Sequence, residues 1–276
     1  MRNRLRAVSA AIVATLTVLV FAPTAHARPL DEIVVAHRGA TTSTIAEGTM
    51  PAYRYAVRHH ADYLDGDIRW AKDGVDADSV GAMVISHDAT LNRVTNCSGN
   101  VSSWLWSSIY KKCRTEIGHQ RLIRLVDLLK YGRSVGKPFT LEVKPSSITN
   151  AQARQLWNAV RHYRVQLEAG AAALPSLKKI KKLDAADPHH RISYALVTSG
   201  GAGWPSVTKI KAIGPNVHAH LTIPARVVRT YERAGIRVYL FTAKSTADYA
   251  RVAKLSPYGA VVDDVGKFQR WRSRNV

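Results

Sequence analysis

Short runs of apolar, often β-branched residues alternate with longer amphipathic stretches along most of the chain. The short runs predict strands, and the stretches between them predict helices, several of which stop at a glycine such as Gly136, Gly214 or Gly235. Eight strands are predicted, over residues 33–37, 63–69, 83–87, 139–143, 192–197, 217–221, 236–242 and 260–263. Helices are predicted over 49–60, 122–135, 149–171, 175–186, 207–213, 225–234 and 246–255.

Eight strands alternating with helices over about 235 residues are typical of an α/β protein with a (β/α)8 TIM barrel. A doubly wound open sheet is the alternative architecture. The stretch 89–120 breaks the alternation, because it is polar, rich in Ser and Asn, and holds two tryptophans. We interpret it as an insertion after the third strand. Trp104 and Trp106 either pack inside this insertion or form a substrate lip or a membrane-touching edge.

The N-terminal segment 1–27 has the pattern of a secretory signal peptide. Three arginines precede an uncharged run over 10–22, and Ala25-His26-Ala27 then supplies a cleavage pattern. The run is shorter than the roughly 20 apolar residues of a membrane span, although an uncleaved anchor remains the alternative. We therefore expect a signal peptide at 1–27, a single domain over 28–276, a secreted extracellular protein and no transmembrane segment after cleavage.

Export changes the interpretation of the two cysteines, Cys97 and Cys113. In an oxidising compartment, two cysteines this close in sequence are more often bridged than free, so a disulfide is predicted inside the insertion. The mature chain retains 37 basic and 20 acidic residues, a net charge of +17. This charge indicates either solvation alone or attraction to anionic lipid or wall polymer. No nucleic-acid-binding motif is present, so no specific nucleic acid partner is expected.

Carboxylates follow two of the predicted strands. Asp65-Gly66-Asp67 ends the second strand, and Glu142-Val143-Lys144 ends the fourth. Alternate strand residues point to the same side, so Asp65 and Asp67 share one face, as do Glu142 and Lys144. Three carboxylates on this face make an oxygen-rich site for a hard divalent cation, Ca²⁺ or Mg²⁺.

Histidines and fixed positive charges lie at the same strand ends. His37 and Arg38 follow the first strand, and His87 follows the third. Histidines exchange protons near neutral pH, and Arg38 and Lys144 suit a phosphate. Taken singly, such motifs also occur as turns or helix caps. Their recurrence at four consecutive strand ends favours phosphoryl transfer or phosphodiester cleavage.

Several of these segments resemble the glycerophosphodiester phosphodiesterase family. The matching segments are Ala36-His37-Arg38-Gly39, Glu47-Gly48-Thr49, Asp65-Gly66-Asp67, Lys72-Asp73-Gly74, His87-Asp88-Ala89-Thr90-Leu91 with Arg93 and Thr95, Leu141-Glu142-Val143-Lys144, Tyr239-Leu240-Phe241-Thr242 and Gly259-Ala260-Val261-Val262-Asp263-Asp264. The resemblance implies a TIM barrel that hydrolyses glycerophosphodiesters to glycerol phosphate and an alcohol. A similarly placed cysteine pair is a feature of its secreted bacterial members.

The resemblance also implies a role for each matching residue. It makes His37 and His87 the acid/base pair, and Arg38 and Lys144 the phosphate-binding residues. Its metal ligands are Asp65, Asp67 and Glu142.

The chain departs from the family at three of these positions. The family usually has Glu at Asp65, Asn at Gly48 and Trp at Phe241. These departures keep two other functions open. One is a related lipid phosphodiesterase of the sphingomyelinase D or phospholipase kind, and the other is a non-catalytic basic barrel that binds anionic wall polymer.

Overall fold

The computed structural model describes residues 32–72, 80–189, 192–201 and 203–276. The predicted signal peptide and the Asp73-Gly74 part of one motif lie outside these ranges. Within them the strands are β1 (Ile33–Ala36), β2 (Tyr63–Trp70), β3 (Met83–Ile85), β4 (Phe139–Val143), β5 (Leu167–Ala171), β6 (Ile192–Thr198), β7 (Asn216–His220), β8 (Arg237–Ala243) and β9 (Gly259–Val262). The helices are α1 (Met50–Arg58), α2 (Trp106–Lys112), α3 (Leu125–Ser134), α4 (Asn150–Tyr163), α5 (Leu174–Asp184), α6 (Val207–Ile213), α7 (Ala225–Arg233), α8 (Thr246–Leu255) and α9 (Val265–Asn275). None of the helices in the described ranges has both the length and the hydropathy of a membrane span.

Eight of the strands close into a parallel barrel. Their order is β1-β9-β8-β7-β6-β5-β4-β2, and β1 also pairs with β2. Val35 of β1 therefore lies opposite Val261 of β9 on one side and opposite Tyr63 of β2 on the other. This closure confirms the predicted (β/α)8 barrel, because a doubly wound sheet would end in two unpaired edges.

β3 lies outside the barrel. It runs antiparallel to β2, with Met83 opposite Trp70 and Ile85 opposite Ile68. The insertion follows the third strand of the chain, as predicted, but that strand is the returning arm of a hairpin. Its short apolar run has the same local pattern as a barrel strand, so only the pairing direction distinguishes the two.

The barrel strand missing from the predicted set is β5. Its residues were wrongly predicted as the end of the helix over 149–171. The helix ends at Tyr163, because Arg164 adopts a left-handed conformation with φ 50°. β5 has the sequence Leu-Glu-Ala-Gly-Ala, whose residues have low strand propensity, and Leu, Glu and Ala favour helices. All five residues are buried, and β5 pairs with β4 and β6. Tertiary pairing therefore overrides local propensity here.

The predicted disulfide joins Cys97 to Cys113, whose Cα atoms lie 5.4 Å apart. It crosses a small apolar cluster of the insertion that includes Leu91, Val101 and Ile109, all nearly fully buried. A bridge across 16 residues stabilises the fold by about 3 kcal/mol in chain-entropy terms. The insertion therefore packs around a small core beside the barrel, which it shares with Ala71, Val84 and Leu122.

Strand alternation divides the barrel into an outer and an inner layer. Val34 and Ala36 of β1 face the helices and belong to the main core. Val35 faces the barrel interior, where it packs with Tyr239 and Val261. The same alternation continues past the strand ends, so it decides which polar side chains project over the mouth of the barrel.

Candidate active site

A cavity of about 280 Å³ opens at the C-terminal ends of the barrel strands. In TIM barrels this end carries the active site. The residues predicted to be catalytic, to bind phosphate or to bind metal all line it: His37, Arg38, Asp65, Asp67, His87, Glu142 and Lys144. Strand alternation brings most of them to this side, because His37, Asp65, Asp67, Glu142 and Lys144 continue the inward-facing positions of their strands.

His87 reaches the cavity through the β2–β3 hairpin. β2 continues to Trp70, beyond the level of Asp67, and β3 then runs back down beside it. After β3, the Ser86 amide donates to the Asp67 carbonyl at 2.9 Å. The next residue, His87, therefore lies at the level of the carboxylates although its strand is not part of the barrel.

His37 is held by a carboxylate from the last strand of the barrel. Ala36 pairs with Val262 in the β1–β9 register, so the residues that follow, His37 and Asp263, are also neighbours. Their Nδ1 and Oδ1 atoms lie 2.5 Å apart. Burial raises the pKa of Asp263, but the bond to His37 and the charge of Lys244 outweigh it and hold this pKa below its usual value. Asp263 is therefore ionised and positions the imidazole.

His87 has a carboxylate partner too, the next residue in the chain. Its Nδ1 lies 2.6 Å from Oδ1 of Asp88, and Arg93 Nε donates to the other Asp88 oxygen at 2.5 Å. Burial opposes ionisation of Asp88, yet the hydrogen bonds from Arg93 and His87 lower its pKa to about 2. Both histidines thus have an ionised carboxylate at Nδ1.

Glu47 connects this group to Arg38, one of the two residues predicted to bind phosphate. Its carboxylate accepts from Arg93 Nη2 at 2.7 Å and from Arg38 Nη1 at 3.1 Å. Burial raises the pKa of Glu47, but the two guanidinium groups together lower it further. Arg38 Nε in turn lies 3.2 Å from Asp67 Oδ2. Alternating charges therefore run from Asp88 through Arg93, Glu47 and Arg38 to Asp67.

The three predicted metal ligands, Asp65, Asp67 and Glu142, line the same cavity beside Arg38 and Lys144. Asp65 accepts from the Arg38 backbone amide at 2.9 Å. Burial raises the pKa of Asp65 to about 6, with His37 opposing this shift and Asp67 adding to it. Lys144 Nζ lies 3.1 Å from Glu142 Oε1 and 3.6 Å from Asp67 Oδ1. Buried carboxylates crowded in this way are stabilised by added positive charge.

These carboxylates fit a hard divalent cation by the chemistry of their oxygens. In the described ranges, however, no three acidic, histidine or cysteine side chains are grouped closely enough to hold an ion as they stand. The Lys144 ammonium lies between Asp67 and Glu142, close to both. Asp67 and Glu142 would therefore hold a cation only if the Lys144 ammonium moved away from them.

The floor of the cavity is a buried ion pair. His218 lines the cavity, and its Nε2 lies 2.5 Å from Oε1 of Glu168. Burial lowers the pKa of His218, but the Glu168 carboxylate raises it further, so the net shift is upward. Asn216 donates to the second Glu168 oxygen. Sequence reasoning missed Glu168 because β5 was predicted as helix.

Comparison with known proteins identifies the family. The model of the "Glycerophosphoryl diester phosphodiesterase family" matches residues 37–267. The chain belongs to this family. Membership confirms the resemblance seen in the sequence and the predicted class of enzyme, a phosphoric diester hydrolase.

Individual relatives are distant but cover nearly the whole chain. A glycerophosphodiester phosphodiesterase of Caldanaerobacter subterraneus subsp. tengcongensis is 22% identical over 243 residues, covering 85% of this chain and 95% of the relative. A phosphodiesterase of Oleispira antarctica, solved with the product sn-glycerol-3-phosphate, has TM-score 0.74 at 17% identity and covers 87% and 96% of the two chains. A glycerophosphodiester phosphodiesterase of Agrobacterium tumefaciens has TM-score 0.68 at 18% identity, covering 87% and 99%.

The departures from the family pattern have structural contexts. Gly48 has φ 68°, and its amide donates to the Arg38 carbonyl at 2.9 Å. Glycine adopts this left-handed conformation without a steric penalty, and asparagine is one of the few other residues that adopt it readily. Phe241 lines the cavity, where it takes the place of the family's Trp.

Asp88 and Asp263 were not singled out as site residues by sequence reasoning. Asp88 was detectable, because it is adjacent to a candidate histidine after a strand. Asp263 lies 226 residues from His37, and only closure of the barrel brings the two together. A sequence pattern carries no information about that pairing until the strand order is known.

Proposed function

We propose that this member of the family hydrolyses glycerophosphodiesters to glycerol phosphate and an alcohol. The observation that carries the proposal is that two histidines, each held at Nδ1 by an ionised carboxylate, line one cavity with Arg38 and Lys144. The Caldanaerobacter relative is named for this activity, and the Oleispira structure contains sn-glycerol-3-phosphate.

Arg38 and Lys144 supply the positive charge that an anionic diester requires. The Arg38 guanidinium is held by Glu47 and Asp67, so it is oriented before substrate arrives. Lys144 is a compact cation that exchanges partners readily. We expect both to contact the non-bridging oxygens of the phosphate and to stabilise the charge that develops there.

The two imidazoles move the protons. Because Nδ1 of each ring is engaged by Asp263 or Asp88, Nε2 is the atom available to the substrate. One histidine takes a proton from the nucleophile, which is water or a neighbouring glycerol hydroxyl. The other gives a proton to the leaving alkoxide. The carboxylates stabilise whichever ring carries the positive charge.

We further propose that Asp65, Asp67 and Glu142 hold Ca²⁺ or Mg²⁺. A bound divalent ion would supply Lewis-acid stabilisation of the phosphate oxygens. The position of Asp65, Asp67 and Glu142 around one cavity supports this assignment. Burial raises the pKa of Asp65 to about 6, so a bound cation would stabilise its ionised form. Calcium is abundant outside cells, which favours it for an exported protein.

Export to the extracellular space is part of the proposal. The sequence pattern of residues 1–27 supports it. The Cys97–Cys113 disulfide supports it independently, because disulfides persist in oxidising compartments. Fractionation of the producing cells, followed by N-terminal sequencing of the mature chain, tests it. A start near Arg28 in the medium is expected, whereas a full-length chain retained in the cell would contradict it.

Hydrolysis of glycerophosphocholine and glycerophosphoethanolamine by residues 28–276 tests the reaction. Release of glycerol phosphate is measured with Ca²⁺, with Mg²⁺ and with chelator. We expect metal-dependent turnover that Asp67→Ala abolishes. His37→Ala and His87→Ala should each lower the rate by about 10²- to 10⁴-fold with the fold intact. His162→Ala, an exposed histidine on α4, is the matched control and should leave the rate unchanged.

Other outcomes would select the alternatives. Cleavage of choline lipids without cleavage of deacylated diesters would indicate a sphingomyelinase D or phospholipase type of enzyme. Salt-sensitive binding to teichoic-acid-type polymer, without release of phosphate from any diester, would indicate a binding protein. Near-normal rates in either histidine variant would overturn the catalytic assignment.

A further inference from the structure

Exposed large apolar side chains gather on the disulfide-bonded insertion. Leu105, Tyr110 and Ile117 are 41%, 44% and 39% exposed and lie close together in the sequence. Elsewhere in the described ranges, Val276 at the C-terminus is the other large apolar residue as exposed as these. Single exposed apolar residues are ordinary, but three on one small unit make a candidate interaction surface.

The two tryptophans of the insertion pack inside it. Trp104 and Trp106 are partly buried against the small core that contains Ile109. Trp104 Nε1 also donates to the Ser98 carbonyl at 3.0 Å. The indoles therefore support α2 from within. Leu105, Tyr110 and Ile117 remain as the apolar groups available to a partner.

Positively charged side chains lie next to Tyr110. Lys111 and Lys112 follow Tyr110 directly on α2 and are exposed. Arg121 lies over the Tyr110 ring at 4.6 Å and donates to its hydroxyl at 3.2 Å. Within the part of the chain that the structure describes, these three cations form no ion pair with a carboxylate. Glu116 is the only acidic residue between 89 and 121.

The insertion lies on the active-site side of the barrel. It begins two residues after His87, and its Arg93 contacts Glu47 beside the cavity. At its other end, Gln120 Oε1 accepts from the Ala46 amide at 3.3 Å, in the loop that follows β1. A partner bound to the insertion would therefore lie on the side of the barrel where the cavity opens.

We propose that the insertion, together with the adjoining Arg121, docks this enzyme on an anionic lipid bilayer through Leu105, Tyr110, Lys111, Lys112 and Ile117. Cations attract the insertion to anionic headgroups, and the apolar side chains enter the interface. A polyanion in water offers the cations a partner but gives the apolar groups nowhere to leave water, so the combination favours a membrane. Docking rests on the proposed function and adds the place where the enzyme acts. It is tested by vesicle binding, which is measured without any turnover.

Vesicle sedimentation measures the charge contribution. The mature protein should bind vesicles of equimolar phosphatidylcholine and phosphatidylglycerol, release at high salt, and bind pure phosphatidylcholine weakly. Each cation near an anionic surface changes partitioning by about fivefold, so Lys111→Ser with Lys112→Ser should weaken binding about 25-fold. Lys178→Ser with Lys182→Ser removes the same charge from exposed positions of α5 and is the matched control. Equal weakening by both pairs would overturn the proposal.

A second variant isolates the apolar contribution. Leu105 is the N-cap of α2 and makes no side-chain cap, so Leu105→Ser favours the helix start. Together with Ile117→Ser it should weaken vesicle binding severalfold while hydrolysis of the soluble diester stays unchanged. Unchanged vesicle binding, or binding to wall polymer but not to vesicles, would refute docking. If the unmodified protein does not hydrolyse the soluble diester, that result would instead count against the proposed function.

Hydrogen exchange on the unmodified protein tests the docking surface without any substitution. Anionic vesicles should slow exchange in peptides that cover 105–121 and leave α5 unchanged. Protection located elsewhere would contradict the assignment even if vesicles bind.

Discussion

Replacing Asp263 with asparagine tests whether the carboxylate partner of His37 contributes to catalysis. The change removes one negative charge but preserves size and shape. The His37 Nδ1 to Asp263 Oδ1 distance is 2.5 Å, and the two side chains are only 15% and 21% exposed. An asparagine amide can accept from Nδ1 in one orientation, but in the other it donates and favours the wrong tautomer of the ring.

The expected loss follows from the strength of that contact. A hydrogen bond to a charged group contributes about 1.5–3 kcal/mol. If the bond stabilises an imidazolium that forms only in the transition state, its loss lowers kcat/KM by about 10- to 150-fold, at about 1.36 kcal/mol per factor of ten. The effect should be smaller than that of His37→Ala, because the ring itself remains.

Steady-state hydrolysis of glycerophosphocholine measures the loss, and Asp264→Asn provides the control. Asp264 is the adjacent residue, but its carboxylate accepts from Tyr55 Oη at 2.8 Å and from the Lys267 amide, so it caps α9. Asparagine caps a helix as well as aspartate does, so this variant should remain active. If Asp263→Asn is folded and retains its rate within twofold, the carboxylate does not assist His37.

Three further changes probe separate parts of the molecule. Arg93→Met removes the guanidinium between Asp88 and Glu47 and should lower kcat more than it raises KM, which steady-state kinetics would separate; a pure KM effect would instead place Arg93 in substrate binding. Burial raises the pKa of Glu32 to about 8, with Arg272 opposing the shift, so the free energy of unfolding should fall by roughly 1 kcal/mol per unit between pH 5 and pH 8. Between these pH values the folded chain keeps the Glu32 proton and the unfolded chain has lost it. Glu32→Gln should therefore flatten the dependence of the free energy of unfolding on pH, measured by urea titration at several pH values; an unchanged dependence would refute this. Cys97→Ser with Cys113→Ser should cost about 3 kcal/mol of stability, seen as a lower urea midpoint, and an unchanged midpoint would contradict the entropic estimate.

Most of the barrel was predictable because its strands are short, apolar and well separated. The exceptions have one cause, which is that local pattern does not encode pairing. β3 resembles a barrel strand locally but pairs antiparallel with β2. β5 has helix-forming residues yet completes the barrel between β4 and β6. The predicted count of eight was therefore correct, while one member of the set was not.

The candidate site was predictable to a similar depth. Residue type and spacing identified His37, Arg38, Asp65, Asp67, His87, Glu142 and Lys144, and all of them line one cavity. The hydrogen-bond partners of these residues were harder to predict from the sequence. Glu47 was identified only as part of a matching segment, and the structure places it between two arginines.

The amino-acid sequence by itself determined the fold class, the family and the chemical groups at the strand ends. These depend on residue type and on short spacings, which alternation along a strand converts directly into a shared face. Only the tertiary structure decided which carboxylate supports which histidine. The His37–Asp263 contact and the Glu168–His218 floor join residues 226 and 50 positions apart. Such contacts depend on barrel closure and strand register, which are properties of the whole assembled sheet and not of any one segment.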